Sequence, residues 1–220
     1  MNYVFVDLDG TLADTDRDIR LAWKAALADL HLACPDFDAR FVAGPPIDEM
    51  VKTLFPDAFT PALADAIRTR FAYHYDTDGF PTTHEYSGVL DEMRRIKARG
   101  DFCAIVTNKR FVGATAMARH FGWDRVFDGL YAGDMYASTI GKLAKGALLK
   151  RLIDALGAPR ASCVMVGDTA SDFRAAAECG IRSIAVTWGY GTDEERARAD
   201  AIVARAEEIT PVLRALTGEG

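Results

Sequence analysis

Short, β-branched apolar runs separated by helical patterns constrain this chain more than any other feature. They are Tyr3–Val6, Phe102–Val106, Cys163–Val166 and Arg182–Val186, with a weaker run near Phe127–Tyr131 and a short edge at Ala201–Val203. The runs are almost continuously apolar rather than alternating, as expected of strands covered on both faces. Helical patterns fall between them, at Val89–Arg99, Gly113–Phe121, Lys145–Leu156 and Asp172–Cys179, and Gly100, Gly157 and Gly180 follow as stop signals. Strand and helix in alternation predict an α/β fold, a Rossmann-like doubly wound parallel sheet.

One stretch breaks the rhythm. Between the first strand and Tyr86 some seventy residues carry no convincing strand, too many for an ordinary βα connection. Asp18–Leu32 reads as an amphipathic helix with Ile19, Trp23, Ala26, Leu27 and Leu30 on one side; Ile47–Leu54 and Leu63–Tyr75 read as further helices. The organisation predicted is a core of residues 1–14 and 83–220 with an inserted helical domain at 15–82, the stretch "TDGFPTTHEYSG" leading back to the core. The aromatic residues near "FAYHYDTDGF" are expected to close the small core of the insertion.

Composition narrows the function. The net charge of −6 argues against nucleic acid as a partner, no apolar run approaches the length of a membrane span, and the first residues lead straight into a strand rather than a leader peptide. Cys34, Cys103, Cys163 and Cys179 lack metal-ligand spacing and read as reduced packing residues; His31, His74, His84 and His120 show no ligand spacing either. A cytoplasmic protein is expected.

The chemistry lies where strands end. In an open parallel sheet, ligands bind beyond the carboxyl ends of the strands. The first strand ends in Asp7 and Asp9, the second in Thr107-Asn108-Lys109, and a later one in Asp168 with Asp172 a helical turn on. Crowded carboxylates repel until one protonates or a cation joins them, and a set of oxygen ligands without His or Cys favours a hard ion, Mg²⁺ above all. Acids, a metal, a hydroxyl and a lysine together describe phosphoryl transfer. Asp7 can attack phosphorus to give an aspartyl-phosphate, and Asp9 can protonate the leaving oxygen and then activate water. Asp14 and Asp16 read as caps or first-turn acids of the first inserted helix, and the glycines of "VTWGYGT", Val186–Thr192, suit a tight loop near the site.

"DLDGTLADT", "IVTNK" and "VGDTASD" resemble motifs I, II and IV of the haloacid dehalogenase superfamily of phosphatases, in the family's order and across nearly the whole chain. The insertion resembles the family's helical cap, and "GPPI" at Gly44–Ile47 resembles a loop of its phosphoglycolate-phosphatase-like members. The resemblance implies Asp7 as nucleophile and metal ligand, and Asp9 as general acid/base with its backbone carbonyl on Mg²⁺. It implies Thr107 and the amide of Asn108 as holders of phosphoryl oxygens, Asp168 as a metal ligand, and Asp172 as a ligand or a support through water. The family also needs a lysine between motifs II and IV. "STIGKLAKGALLK" offers Lys142, Lys145 and Lys150 without the common Lys-Pro pair, and "KGALL" best resembles the subgroup with lysine just before a helix, which selects Lys145 over Lys142.

The function implied is a Mg²⁺-dependent phosphomonoesterase for a small phosphorylated metabolite, phosphoglycolate foremost, acting as a monomer or homodimer. Nucleoside 5′-monophosphates, sugar phosphates and phosphomutase chemistry are the alternatives. Arg40, Lys52 and Arg68 are candidate contacts to a distal carboxylate. A dehalogenase or phosphonate hydrolase would not keep Asp9. A receiver-like signalling module would be shorter and uncapped, and a catalytically silent partner-binding protein would not keep every chemical group.

Overall fold

The computed structural model describes residues 1–77 and 79–218; Asp78, in the expected return linker, and Glu219–Gly220, at the end of the expected core, lie outside the described residues. The chain runs β1 (Tyr3–Val6), then helices α1 (Asp16–Asp29), α2 (Phe37–Arg40), α3 (Ile47–Leu54) and α4 (Pro61–Thr77). It continues α5 (Val89–Ala98), β2 (Phe102–Thr107), α6 (Phe111–Phe121), β3 (Gly129–Ala132), α7 (Lys145–Leu156), β4 (Cys163–Gly167), α8 (Ala170–Cys179), β5 (Arg182–Val186), α9 (Asp193–Arg196), β6 (Ala201–Val203) and α10 (Ile209–Thr217). Two compact units result, one of Met1–Asp14 with Glu85–Gly220, the other of Thr15–His84.

In the first unit six parallel strands lie in the order β3-β2-β1-β4-β5-β6, the doubly wound arrangement read from the sequence. β1 is central: Tyr3 stands beside Phe102 and Cys163, and Val6 beside Ile105 and Val166. All four of its residues are buried because both faces are covered. Tyr3, Phe5, Ala104, Val106, Cys163 and Met165 meet Leu148, Leu149, Leu152 and Ile153 of α7 and Ala175 and Ala176 of α8. Their alternates Val4, Val6, Ile105, Val164 and Val166 are equally buried on the other face, where α5 and α10 supply Met93, Ile96, Ile209 and Leu213. Each such aliphatic side chain contributes roughly 1.5–3 kcal/mol by leaving water. The central position of β1 sets Asp7 at the middle of the sheet edge, its N–H continuing the ladder to Val166 O at 2.9 Å.

β3 begins later than its apolar pattern suggests. A 3₁₀ turn at Trp123–Arg125 takes the chain through Phe127, and Asp128 joins the neighbouring strand by its backbone N–H and its carboxylate, both at Cys103. α8 starts earlier than expected because the Asp172 carboxylate reaches back to accept from the N–H and hydroxyl of Thr169 and so closes the first turn.

The second unit is helical. α1 packs on α4, and α3 packs on α4. Trp23 meets Phe41 and Phe71, while Phe71 stacks on Tyr75 and Tyr75 meets Phe80, so these rings do close a small core. α4 begins at Pro61, earlier than the expected Leu63, because Thr60 caps it: its hydroxyl accepts the Leu63 N–H at 3.1 Å and Pro61 opens the first turn. The buried face of α1 is Asp18, Ala22, Trp23, Ala26 and Leu27, with Ile19 and Leu30 only half-buried. Asp18 accepts hydrogen bonds from the backbone N–H and the hydroxyl of both Thr82 and Thr83, at 2.5–3.2 Å. Among the described residues no helix is long and apolar enough to cross a membrane.

Candidate active site

The groups expected to act together come from five elements that meet at one edge of the sheet. Asp7 and Asp9 follow β1, Thr107 ends β2, and Asp168 follows β4; Lys145 and Asp172 open α7 and α8. Asp7, Asp168 and Asp172 each offer a carboxylate oxygen within 4.8 Å of the others, and all three are buried. Lys145 sits among them, 4 % exposed, with Nζ 2.8 Å from Asp7 Oδ1 and 2.6 Å from Asp172 Oδ1. Lys142 is exposed, and Lys150 pairs with Asp154 on the surface of α7.

The partners differ from acid to acid. Both oxygens of Asp172 are engaged, one by Lys145 and the other by the N–H and hydroxyl of Thr169 at 3.1 Å. Asp172 is thereby fixed as an orienting partner of the lysine. Asp168 accepts from the Thr11 hydroxyl at 3.1 Å and the Tyr190 N–H at 2.7 Å. Asp7 Oδ1 is buried and near Lys145 but makes no hydrogen bond of good geometry. Asp9 stands outside this group, its Oδ1 accepting from Lys109 Nζ at 2.8 Å. Thr107 is buried and its Oγ1 accepts the Lys109 N–H at 3.1 Å, while exposed Asn108 donates its side-chain amide to Ser171.

Three buried carboxylates beside a single ammonium, which pairs with two of them, leave an excess of negative charge. Burial, with Asp172 and Asp9 nearby, pushes Asp7 from 3.8 to about 7 against the pull of Lys145. Burial, Asp172 and Asp7 push Asp168 to about 8, against its two hydrogen bonds. Burial draws Lys145 down, but Asp172 and Asp7 outweigh it and hold the ammonium well above the usual lysine range. A divalent cation would relieve that excess. The donor set fits a hard ion: oxygen ligands alone, with a buried Asp7 oxygen lacking a proper donor and Asp168 oxygens that each accept one bond and have a lone pair left.

Three contributors escaped the sequence reading. The sequence marks Lys109 as a donor at a strand end, and the fold makes it the partner of Asp9, a hundred residues away. Thr11 and Tyr190 orient Asp168. The signal for Tyr190 was the glycine pair around it: a side chain at Gly191 would collide with the Asp168 backbone, so Gly-Tyr-Gly is what lets this loop lie against the acid. Gly10, at φ +81°, meets the same limit from the β1 side, since a Cβ there would strike the Asp168 carboxylate. Asp14 does not cap α1, whose N-cap is Thr15; it accepts from the Tyr190 hydroxyl at 3.1 Å, and Asp16 is a first-turn acid paired with Arg20.

Arg40, Lys52 and Arg68 are engaged within the helical unit. Arg40 binds Asp36 and Thr53 O, Lys52 lies 4.9 Å from the centre of the Phe59 ring, and Arg68 bridges Asp48 and Asp65. All four cysteines are free, and burial pushes the Cys103 and Cys163 thiols up to about 12 and 11, which suits inert packing groups.

Comparison with known proteins places the chain in a family. The model of the haloacid dehalogenase-like hydrolase family matches residues 4–186. A 5′-nucleotidase of Pseudomonas aeruginosa is 28% identical over 194 residues, 87% of this chain and 85% of that protein. A phosphoglycolate phosphatase of Colwellia psychrerythraea is 31% identical over 205 residues, 86% of this chain and 85% of that one. The crystal structure of a predicted phosphatase from Clostridium acetobutylicum superposes with a TM-score of 0.85 at 26% identity, over 97% of this chain and 98% of the other. By motif, fold and match across most of its length, this chain belongs to the haloacid dehalogenase-like hydrolase family, in its phosphatase branch.

Proposed function

We propose that this phosphoric monoester hydrolase releases inorganic phosphate from a small phosphorylated metabolite by way of a phospho-aspartate on Asp7. The observation that carries the reading is the separation of two acids at one strand end. Asp7 lies in the buried group with Lys145, Asp168 and Asp172, while Asp9, two residues on, is outside it and paired with Lys109. A nucleophile and a proton-transfer group need such different surroundings.

In the first step an Asp7 oxygen forms a bond to phosphorus as the ester oxygen leaves with a proton from Asp9. In the second, water attacks the same phosphorus, Asp9 takes its proton, and the bond to Asp7 breaks to release phosphate. Lys145, kept in place by Asp172, balances charge on the phosphoryl oxygens, and the Thr107 hydroxyl and Asn108 amide hold them. Mg²⁺, held by Asp7, Asp168 and the Asp9 carbonyl, would supply further charge neutralisation. Residues 15–82, the insertion that resembles the family's helical cap, carry substrate selection. The protein works in the cytoplasm as a monomer or homodimer.

Phosphoglycolate is the leading substrate, supported by the Colwellia relative and by the Gly44–Ile47 stretch. A nucleoside 5′-monophosphate is the second reading, favoured by the Pseudomonas relative. A phosphate-release screen over phosphorylated metabolites, with and without EDTA, tests both. Metal-dependent release with preference for phosphoglycolate is expected; preference for nucleotides transfers the assignment, isomerisation without net phosphate identifies a mutase, and full turnover in EDTA rejects the metal.

A further inference from the structure

Two lysines take three of the four acids at the strand ends, and Asp168 is held by Thr11 and Tyr190. Lys145 takes Asp7 and Asp172, and Lys109 takes Asp9, with side chains only 6% and 16% exposed in the latter pair. Asp7 and Asp9 are two residues apart, so in an extended chain their side chains would leave on the same side. Yet the three-acid group at 4.8 Å contains Asp7, Asp168 and Asp172 without Asp9. The Lys109 backbone is tied to the end of β2, its N–H bonded to Thr107 Oγ1 at 3.1 Å. The lysine that holds Asp9 is thus anchored to another strand.

We propose that Lys109 is a positioning residue that latches the Asp9 carboxylate outside the three-acid group, so that Asp9 stays available for proton transfer. The proposal rests on the phosphomonoesterase reading above. Its physical basis is competition. A carboxylate beside a bound cation is drawn onto it as a further ligand, and one so ligated has a lone pair fewer and no reach toward a leaving group. An ammonium at 2.8 Å offers Asp9 an alternative partner of the same sign as the cation. The latch acts through the Asp9 carboxylate, so its effects on catalysis and metal binding vanish when Asp9 no longer carries charge.

A double-mutant cycle tests this. Lys109→Met is expected to lower kcat about 10²-fold, the scale of a misplaced catalytic group, with KM within about two-fold, and Lys109→Arg to recover most of the loss. In an Asp9→Asn background Lys109→Met should cost nothing more. Calorimetric titration with Mg²⁺ gives a readout apart from turnover. Lys109→Met should bind the ion several-fold tighter (about 1 kcal/mol), and the double variant no tighter than Asp9→Asn. A raised KM at unchanged kcat would make Lys109 a substrate contact, and equal effects in both backgrounds would reduce it to a distant charge; either overturns the latch. Wild-type protein that neither binds Mg²⁺ nor releases phosphate would sink the underlying reading. The latch is then judged on the Lys109 ammonium NMR signal, which should be slowly exchanging in the wild type and lost in Asp9→Asn; a fast-exchanging wild-type signal overturns it.

Discussion

Each unit of the molecule buries carboxylates, and it treats them in opposite ways. Asp18 of the helical unit, 5 % exposed, is surrounded by donors from Thr82 and Thr83 that satisfy both its oxygens. In the core unit Asp7, Asp168 and Asp172 are just as buried, yet they crowd together around one ammonium that pairs with Asp7 and Asp172, and Asp7 and Asp168 are pushed up to about 7 and 8. Burial of an acid is therefore not by itself a sign of chemistry. A fully bonded acid ties a chain together, whereas crowded acids short of positive charge hold a place for a cation and a reacting group.

The largest test separates activity from stability. Asp7→Asn should lower phosphate release at least about 10⁴-fold, as loss of a nucleophile does, while the metal-free protein keeps or gains thermal stability. Asp7 is raised above its ordinary 3.8, so the folded state binds more protons than the unfolded state between about pH 4 and pH 7. The stability it contributes is present at low pH and lost as pH rises through that window. Lys145, held above the usual lysine range, stays charged throughout. Wild-type protein in EDTA should accordingly melt lower at pH 8 than at pH 5.5, more steeply than Asp7→Asn does. A stability that rises over the same window would contradict the crowding argument.

Metal exchange is the next test. EDTA should take turnover to background, and saturating Mg²⁺ at about 100 times its Kd should add roughly 2.7 kcal/mol to stability, read as an upward shift in melting temperature. Asp168→Asn should lose most of that shift, and Asp18→Asn should keep it, since Asp18 has no part in the acid group.

The opposite variant belongs to the helical unit. Asp18→Ala should destabilise the protein by about 3 kcal/mol, because it leaves the donors of Thr82 and Thr83 without their acceptor. Urea unfolding of the full chain measures it. A cost below about 1 kcal/mol would mean that the bonds to Asp18 are readily replaced by water, and the contrast between the two kinds of buried acid would fail.

Why one kind was legible and the other was not follows from where the information sits. The strands, their order and the acids at their ends show in local runs and spacing, and the sheet then brings Asp7, Thr107 and Asp168 to one edge. Lys145 stands out by resemblance as the lysine that opens α7, and the fold places it between Asp7 and Asp172. Asp18 looked like an ordinary helix residue, because its partners lie sixty-four and sixty-five residues away. Lys109–Asp9 and Tyr190–Asp168 are also long-range pairs, and no period in the sequence reports them. β3 was placed too early because Phe127 is apolar but belongs to the turn after α6.

Helix ends show the same contrast at smaller scale. In the core unit α6, α7 and α8 stop at Gly122, Gly157 and Gly180, with φ of 72°, 59° and 64°, a backbone region that glycine enters at little cost. α1 of the helical unit ends instead with His31 at φ 54°, where the His31 N–H reaches Ala28 O at 3.0 Å and the Leu32 N–H reaches Leu27 O at 2.9 Å. That pair of bonds is the usual left-handed helix stop. Without a glycine to mark it, the apolar pattern carries the expected helix on to Leu32, whereas the observed one ends at Asp29. His31→Gly should therefore stabilise the chain by about 0.5–1 kcal/mol, read in urea unfolding, with phosphatase turnover unchanged. Gly157→Ala, at the matching place in the core unit, should cost a similar amount. If His31→Gly is neutral or destabilising, the histidine contributes bonding that offsets its backbone strain, and this helix end is no weaker than those of the core.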